Sequence, residues 1–436
     1  PASQAFQSPI ETPTRPPKPT PVTPPPTIPP KPSPPTVTVT LPPYPILQTP
    51  TPPGTPTAVP TPRATVTPTP VVTVVPGPLP LGLKIVCVDK GEDEWTSVIW
   101  MANVDDLNHV QIITALRNLA PEFWPLAHVS PDGRHIAYIL PRKHDSESAL
   151  GIVNINGTEN RILDDPVLGP GVELRLRWSP DSQWIAYLRR MPPRGERAET
   201  EIWVVRPDGT EKRMVASESG EVFLIGWARD GSQIYYTPGG RDLWAVNVSG
   251  EAPPSVLLHF DEPAAPLRLS PDGEKITYEI RESHGPGPVT LGVASIDGQE
   301  KHILAESIDS RNFDLWSYSL SPIWSPDSSR VAYSIPINRM HIEILSSQWD
   351  APTTRAVIRS REKAYYYLLS WSPESKYIVA WRHLGDAIPG LGLHPVLISL
   401  RGEGKVERVH CITPGFYYCP FAGWLEDTSR IERGGQ

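Results

Sequence analysis

From residue 84 onward, the apolar positions of this chain fall in short runs separated by clusters of turn-forming residues. A typical unit is Ser-Pro-Asp-Gly at positions 130–133, followed by the apolar run 136–138. Proline presets the backbone for the first turn position, aspartate hydrogen-bonds its own turn backbone, and glycine supplies a positive φ angle. The runs are rich in Ile, Val, Tyr and Trp, as strands require. Each unit therefore predicts a β-hairpin.

The unit repeats along the chain. Six copies are centred on Pro131, Pro180, Ala228, Pro271, Pro326 and Pro373, at successive spacings of 49, 48, 43, 55 and 47 residues. A second pair of apolar runs follows most copies, and four strands per repeat of ~45 residues is typical of a β-propeller blade. Helical periodicity is weak, with residues 110–119 as the best candidate for a helix. The pattern predicts an all-β propeller.

The two ends of the patterned region carry partial units. Residues 423–431 form a degenerate copy of the motif, and residues 85–88 and 98–104 supply strands that no turn motif precedes. A blade shared between both ends would close the ring and remove its open sheet edges. We therefore expect seven four-stranded blades, or six if the terminal pieces form a cap.

These repeats resemble the Ser-Pro-Asp-Gly repeats of TolB-like β-propellers, which also form the propeller part of prolyl-oligopeptidase relatives. The resemblance covers most of residues 84–433 and implies the fold while saying little about function. The oligopeptidases carry their catalytic Ser, Asp and His on a separate α/β-hydrolase domain. These 436 residues contain no Gly-x-Ser-x-Gly motif of the kind that domain uses. The resemblance therefore implies the propeller without the hydrolase.

The first 80 residues have a different composition. They hold 29 of the 56 prolines and 17 threonines, and no Trp or Cys. Such a segment cannot offset its ordering entropy by building a core, whereas consecutive prolines favour an extended polyproline II helix. We expect a stalk over residues 1–80 and the propeller over 81–436. Thr beside Pro is typical of O-glycosylated stalks, and the candidate acceptors are Thr12, Thr14, Thr51, Thr55, Thr57, Thr61, Thr67 and Thr69.

Two proline-free runs interrupt this segment, at residues 36–41 and 71–75. Both have the composition of strands and could pair with the edge of a blade in the next molecule. Donation of this kind that does not close into a ring generates a filament. The strand-donating candidates are Val37, Val39, Leu41, Val71, Val72, Val74 and Val75.

Three cysteines are too few for a disulfide scaffold. Cys411 and Cys419 flank a short segment with a Thr-Pro-Gly turn, which suits a bridge in an oxidising compartment, although two buried thiols are the alternative. Cys87 lies in an apolar run and is expected to be a buried strand residue.

Asn156 and Asn247 head Asn-x-Ser/Thr sequons at predicted turns and are candidates for N-glycosylation.

The residue pattern offers little chemistry. The 11 histidines form no His-x-x-x-His pair, and the Glu-x-x-His spacing of Glu407 and His410 falls in a predicted strand, where the two would point to opposite faces. The turn aspartates lack the close spacing of a calcium loop. Ser372 and Lys376, in a Ser-x-x-x-Lys spacing, lie in a blade turn. We therefore expect no enzyme, metal or cofactor, with a site hidden in the central channel, as in a lactonase or lyase, as an alternative.

The charge balance and the absence of long apolar runs narrow the function further. The net charge of −8, with no basic stripe, argues against a nucleic-acid binder. No apolar run approaches the ~20 residues of a transmembrane helix. Pro1 as first residue fits an exported chain whose signal peptide has been removed.

We therefore expect an extracellular or cell-surface structural or adhesive protein, a filament subunit joined to its neighbour through the stalk. The alternative is a stalk-tethered surface or periplasmic propeller that binds a protein or glycan partner. In that case the long insertions at 189–200, 281–289 and 307–318 are natural contact loops.

Overall fold

The computed structural model describes residues 82–425, apart from 91–95, 105, 118–125, 144–146, 168–175, 191–198, 282–287, 310–319, 321, 339–340, 351–354, 360–363, 385–392, 402–404 and 412–420. The described part contains strands and turns and no helix. The strands are β1 (Lys84–Lys90), β2 (Thr96–Asn103), β3 (Asp106–Arg117), β4 (Leu126–Val129), β5 (His135–Lys143), β6 (Glu147–Asn154), β7 (Arg161–Val167), β8 (Leu176–Trp178), β9 (Ile185–Arg190), β10 (Glu199–Val205), β11 (Arg213–Ser219), β12 (Val222–Trp227), β13 (Gln233–Pro238), β14 (Asp242–Asn247), β15 (Ser255–His259), β16 (Arg268–Leu269), β17 (Lys275–Arg281), β18 (Pro288–Ser295), β19 (Lys301–Asp309), β20 (Ile323–Trp324), β21 (Arg330–Asn338), β22 (His341–Gln348), β23 (Arg355–Arg359), β24 (Ala364–Trp371), β25 (Tyr377–Leu384), β26 (Leu393–Arg401), β27 (Lys405–Cys411) and β28 (Phe421–Leu425).

These strands form seven four-stranded blades in a ring. Blade 1 has the order β28-β1-β2-β3, and blades 2 to 7 take the remaining strands in groups of four along the chain. Blades 6 and 7 also meet through a parallel bridge between His341 and Ala364. The expectation of seven blades is confirmed, and so is the closing blade shared by both ends: β28 pairs with β1 through Lys84–Leu425 and Ile85–Trp424.

The all-β expectation also holds for the segment with the strongest helical periodicity. Residues 110–119 were the best candidate for a helix, but Asp106–Arg117 is strand β3, paired antiparallel with β2. The apolar positions of this segment are used as the outer strand of a blade, where Ile113, Ala115 and Leu116 are buried. Tertiary pairing therefore outweighs the weak helical periodicity.

The Ser-Pro-Asp turns hold the first two strands of a blade together. In blade 3, Ser179 Oγ donates to Asp181 Oδ1 at 2.5 Å and accepts the N–H of Trp184 at 2.9 Å. Asp181 Oδ1 also accepts the N–H of Gln183 at 3.0 Å. Equivalent bonds recur at Ser130, Ser270 and Ser325. The motif is therefore a closed hydrogen-bond network that fixes the hairpin register.

The residue after the acidic position adopts a left-handed backbone in every copy. Three copies place glycine there, and three place serine, at Ser182, Ser328 and Ser375 with φ of 59°, 57° and 58°. Ser182 Oγ accepts the N–H of Asp132 in the preceding blade at 3.0 Å, and Ser328 Oγ accepts the N–H of Asp272 at 2.9 Å. Serine at these two sites adds a link between blades that glycine cannot make.

Tryptophan links neighbouring blades on the innermost strands. The Trp that precedes the Ser-Pro-Asp turn donates its indole N–H to the innermost strand of the preceding blade. Trp178 donates to His128 O at 3.0 Å, and Trp227 donates to Arg177 O at 3.2 Å. The same bond joins Trp324 to Arg268 O at 3.1 Å and Trp424 to Ser370 Oγ at 3.1 Å.

Three interfaces between blades lack this hydrogen bond. In two of them an aliphatic residue replaces Trp and packs on a glycine: a Cβ on Gly226 would lie 2.6 Å from Leu269 Cδ2, and one on Gly423 would lie 2.8 Å from Val129 Cβ. At the third, between blades 6 and 7, Trp371 is present, but its buried indole N–H has no partner. This interface has neither kind of link.

Tyrosines make a second set of links towards the outer strands. Tyr187 donates to Asp164 Oδ2 of the preceding blade at 2.7 Å, and Tyr236 donates to Glu218 Oε1 at 2.7 Å. Asp164 is buried and also accepts from Lys212 Nζ at 2.8 Å. Burial and the bond to Asp164 raise the pKa of Tyr187, which keeps its hydroxyl a donor.

Replacing Trp178 by Phe should cost about 1–2 kcal/mol more than replacing Trp371 by Phe. Both changes remove a similar buried volume, but only the first leaves a backbone carbonyl without its donor. Thermal or urea unfolding of the two variants measures the difference. Equal losses of stability would show that the indole hydrogen bonds contribute nothing to the joining of blades.

The substitutions Ser182→Gly and Ser375→Gly should change the stability of the protein in different directions. Both relieve a left-handed serine, which costs about 1–2 kcal/mol relative to glycine, against a smaller entropic loss in the unfolded chain. Ser375→Gly is therefore expected to be neutral or slightly stabilising. Ser182→Gly leaves the Asp132 N–H without its acceptor and is expected to destabilise the protein by about 1 kcal/mol or more. Unfolding midpoints that rise together in both variants would contradict this role.

Candidate binding site on the innermost strands

The innermost strands of the seven blades contact one another in sequence around the ring, from β28 through β4, β8, β12, β16 and β20 to β24. The residue before the turn tryptophan, or before its aliphatic replacement, is polar in four blades: His128, Arg177, Arg268 and Ser370, all half-buried. Gly226, Ile323 and Gly423 occupy the other three. The polar groups of the ring interior therefore come from one repeat position.

His128 and Arg177 lie on the neighbouring strands β4 and β8. Arg177 Nη1 donates to Leu176 O at 2.9 Å, and Nε contacts Ile225 O at 3.5 Å. Burial and the Arg177 charge together lower the pKa of His128 to about 3, so its imidazole is neutral at physiological pH. This pair therefore offers one fixed cation and one neutral ring.

A cavity of about 440 Å³ lies across the innermost strands of blades 5, 6 and 7. Its walls are aromatic, aliphatic and proline side chains with a few polar groups, a composition and size typical of ligand sites. The lining residues are Pro266, Arg268, Leu269, Pro271, Pro322, Ile323, Trp324, Tyr367, Leu368, Leu369, Ser370, Trp371 and Trp381. Tyr367 and Trp381 are half-buried, whereas Trp324 and Trp371 are buried. The cavity includes the interface between blades 6 and 7 that lacks an indole hydrogen bond.

The turn aspartates belong to the fold. Asp132, Asp181, Asp272 and Asp327 each accept the hydroxyl of the motif serine, and Asp230 accepts that of Ser232. Hydrogen bonds from Ser232 lower the pKa of Asp230 below its usual range. Within the residues that the structure describes, no group of three or more His, Cys, Asp or Glu could hold a metal ion.

Other sequence candidates have structural roles. Ser372 Oγ accepts the N–H groups of Lys376 and Tyr377 at 3.1 and 3.0 Å, so the Ser-x-x-x-Lys spacing is a blade turn, as expected. Cys87 is a buried free thiol on β1, also as expected. Glu407 and His410 lie in strand β27, as predicted.

The two sequons differ in their surroundings. Asn156 is exposed in a turn, where its Oδ1 accepts the N–H of Thr158 at 3.1 Å. Asn247 is half-buried at the end of β14, and its Oδ1 accepts from Gln233 Nε2 at 3.0 Å. Asn156 is therefore the more accessible candidate acceptor.

Several candidates lie outside the described residues. These are Cys419, the proposed partner of Cys411, all the stalk threonines and both strand-donating runs. The greater part of each long insertion also falls there. The stalk of residues 1–80 and the Cys411–Cys419 bridge stay predictions. Among the described residues, no helix is long and apolar enough to cross a bilayer.

The similarities of this chain to known proteins are partial. No family model matches the chain. A stretch of 149 residues, 32% of this chain, is 28% identical to dipeptidyl-peptidase 5 of Porphyromonas endodontalis but spans only 20% of that enzyme. The whole peptidase is therefore much longer than the region that matches.

Three solved structures illustrate the likeness. TolB from Acinetobacter baumannii is 17% identical, with a TM-score of 0.43 over 64% of each chain. The propeller domain of the trilobed protease from Pyrococcus furiosus is 13% identical, with a TM-score of 0.49 over 76% of this chain and 94% of that one. Oligogalacturonate lyase from Vibrio parahaemolyticus is 12% identical, with a TM-score of 0.48 over 68% and 87%.

The fold of the described residues is a seven-bladed β-propeller, as the sheet topology shows. Peptidase, lyase and TolB propellers all occur among these neighbours, so the likeness assigns no chemistry to the cavity.

Sequence reasoning missed the cavity residues. The repeats located the turns and their tryptophans, but attention stayed on the Ser-Pro-Asp residues, which serve the fold. The position just before each tryptophan, or before its aliphatic replacement, carries the signal: it varies between His, Arg, Gly, Ile and Ser, whereas the residues on either side of it are apolar in every blade. Polar residues at a position flanked by apolar ones are the feature that could have pointed to the ring interior.

Because the native pKa of His128, about 3, lies below the ordinary histidine value of about 6.5, the unfolded chain binds this proton first as the pH falls. His128 therefore contributes stability at neutral pH that is lost progressively below about pH 6.5. Between pH 7 and 5 the loss is at most about 2 kcal/mol. His128→Asn should unfold with a flatter pH dependence over this range. Parallel curves for the variant and the natural chain would contradict the assignment.

Proposed function

We propose that this chain is a non-enzymatic extracellular or cell-surface binding protein whose propeller holds a polypeptide partner in the cavity of blades 5 to 7, with the Pro/Thr-rich segment acting as a stalk. The observation that carries the proposal is the lining of the cavity. Four aromatic side chains and three prolines form its walls, with Arg268 and Ser370 as polar groups. Aromatic anchors with one or two polar groups are typical of polypeptide-binding sites.

The fold supports a binding role because the site lies on a rigid frame. Much of the cavity is built from β16, β20 and β24, innermost strands that each pair with the next strand of their own blade. A preformed site loses little conformational entropy when it binds. The proposed ligand is an extended segment, since the lining residues run across the innermost strands of three blades.

A second candidate, a filament joined by donated strands, is favoured by a separate observation. Met214, Val256 and Ile303 are 46%, 47% and 38% exposed. They lie on β11, β15 and β19, the outermost strands of three consecutive blades, opposite Trp203, Trp244 and Gly292. Outer strands with exposed apolar side chains are the edges to which a donated strand would add.

The full chain should bind extended peptides through the cavity. We would measure its binding to an array of unstructured peptides of varied composition, alongside Tyr367→Ala and a matched control, Trp349→Ala. Trp349 is a half-buried aromatic residue of blade 6 outside the cavity. A subset of peptides should bind the natural chain and the control, and bind Tyr367→Ala at least about tenfold more weakly, the cost of about 1.4 kcal/mol of lost aromatic contact.

Thermal unfolding of each variant separates lost binding from lost folding. No binding above background, or equal binding by the natural chain and a folded Tyr367→Ala, would contradict the proposed function. Activity on oligosaccharides or peptides that Tyr367→Ala abolishes would favour the channel enzyme instead.

A further inference from the structure

The cavity includes the one interface between blades, that of blades 6 and 7, that has neither the indole hydrogen bond nor the aliphatic contact with glycine; there Ser334 Oγ donates to Tyr366 O of β24 at 2.9 Å instead. Four turn tryptophans donate to the preceding blade, but Trp371 does not, and its buried N–H is without a partner in the structure. The aliphatic alternative is also missing, because Ile323 stands where the other two interfaces have glycine. Trp324 and Trp371 both line the cavity, but only Trp324 donates its indole N–H to the preceding blade, at Arg268 O.

The walls of this cavity suit one kind of ligand above others. The cavity is lined by three prolines and by four aromatic side chains, those of Trp324, Tyr367, Trp371 and Trp381. Aromatic-lined grooves of this composition recognise polyproline II segments, whose proline rings pack between flat aromatic faces. A polyproline II chain is already extended before it binds, so it loses little entropy on docking.

The chain itself contains such a segment with a suitable period. Prolines recur every third residue at Pro26, Pro29, Pro32 and Pro35. A polyproline II helix has three residues per turn, so in that conformation prolines at this spacing would lie along one face. A segment of this kind would offer an aromatic groove a ridge of proline rings.

Charge favours the meeting of this segment with another propeller. Residues 1–81 carry four Lys or Arg and one Asp or Glu, whereas residues 82–436 carry 36 and 47. The two parts therefore have net charges of +3 and −11. Opposite net charges steer association and make it weaken with salt.

We propose that the cavity of blades 5 to 7 binds residues 26–35 of a second copy of this chain. The inference rests on the proposed function, because it names the partner of the same site. Each chain carries one cavity and one segment, so the contact is heterologous and joins copies head to tail into open chains.

Sedimentation velocity of the full chain over a wide range of concentration tests this inference. We expect mass to grow with concentration and to fall as salt is raised. Tyr367→Ala should weaken self-association at least about tenfold, while Trp349→Ala should not. A peptide of residues 26–35 should dissociate the assemblies, and the same peptide with alanine for every proline should not.

Three results would overturn the inference. The full chain stays monomeric at every concentration, Tyr367→Ala associates like the natural chain, or peptides of residues 36–41 or 71–75 dissociate the assemblies while residues 26–35 do not. The last result would identify strand donation to an outer edge. The competition experiment needs no variant, so a misfolded Tyr367→Ala does not leave the question open.

The peptide array distinguishes this failure from that of the proposed function. If other peptides bind in the cavity but the full chain stays monomeric, the site is real and only the partner named here is wrong. If no peptide binds and the full chain still associates, the proposed function fails and the contact lies elsewhere on the molecule.

Discussion

The hydrogen bond from a turn tryptophan to the preceding blade is the interaction on which this ring depends. A blade buries its faces only against its two neighbours, so the ring exists as long as consecutive blades keep their register. Trp178 and Trp227 fix that register by donating an indole N–H to a backbone carbonyl on the neighbouring innermost strand, 50 residues away in sequence. Where the tryptophan is replaced, Gly226 and Gly423 allow an aliphatic side chain to approach the backbone instead. Both solutions bring the innermost strands to the same close contact.

The Ser-Pro-Asp turn prepares this contact. Its serine and aspartate fix the hairpin, which sets the position of the tryptophan that precedes them. The left-handed residue that follows the aspartate has two roles at Ser182 and Ser328. It completes the turn, and its hydroxyl accepts a backbone N–H from the preceding blade, although serine is strained at this φ angle. One five-residue motif therefore fixes both the first hairpin of a blade and its contact with the preceding blade. This is why the repeat can be recognised in a single sequence.

Because one local motif fixes both the hairpin and the contact between blades, some features could be predicted from the sequence and others could not. Turn chemistry and a repeat of constant length predicted the propeller, its seven blades and the closure of blade 1, since each depends on local residues or on the period. The helix at 110–119 failed because pairing with β2, a tertiary effect, outweighs periodicity. The cavity was not predicted because it arises where Trp371 departs from its equivalents in its partner and not in its identity. A sequence records that a tryptophan is present, whereas only the assembled ring shows that its acceptor is missing.

The interface between blades 6 and 7 also shows how a repeat protein can gain a site. Identical interfaces would give a ring that is closed equally everywhere, with no place for a ligand. At the interface of blades 6 and 7, Ile323 takes the place of a glycine and belongs to the same apolar cluster as Trp371, whose indole N–H has no acceptor, and both side chains line the cavity. Blades 6 and 7 are also joined by the bridge between His341 of β22 and Ala364 of the innermost strand β24, and by the hydrogen bond from Ser334 Oγ to Tyr366 O. The interface whose contacts differ from the other six is therefore the one beside which the molecule places four aromatic side chains.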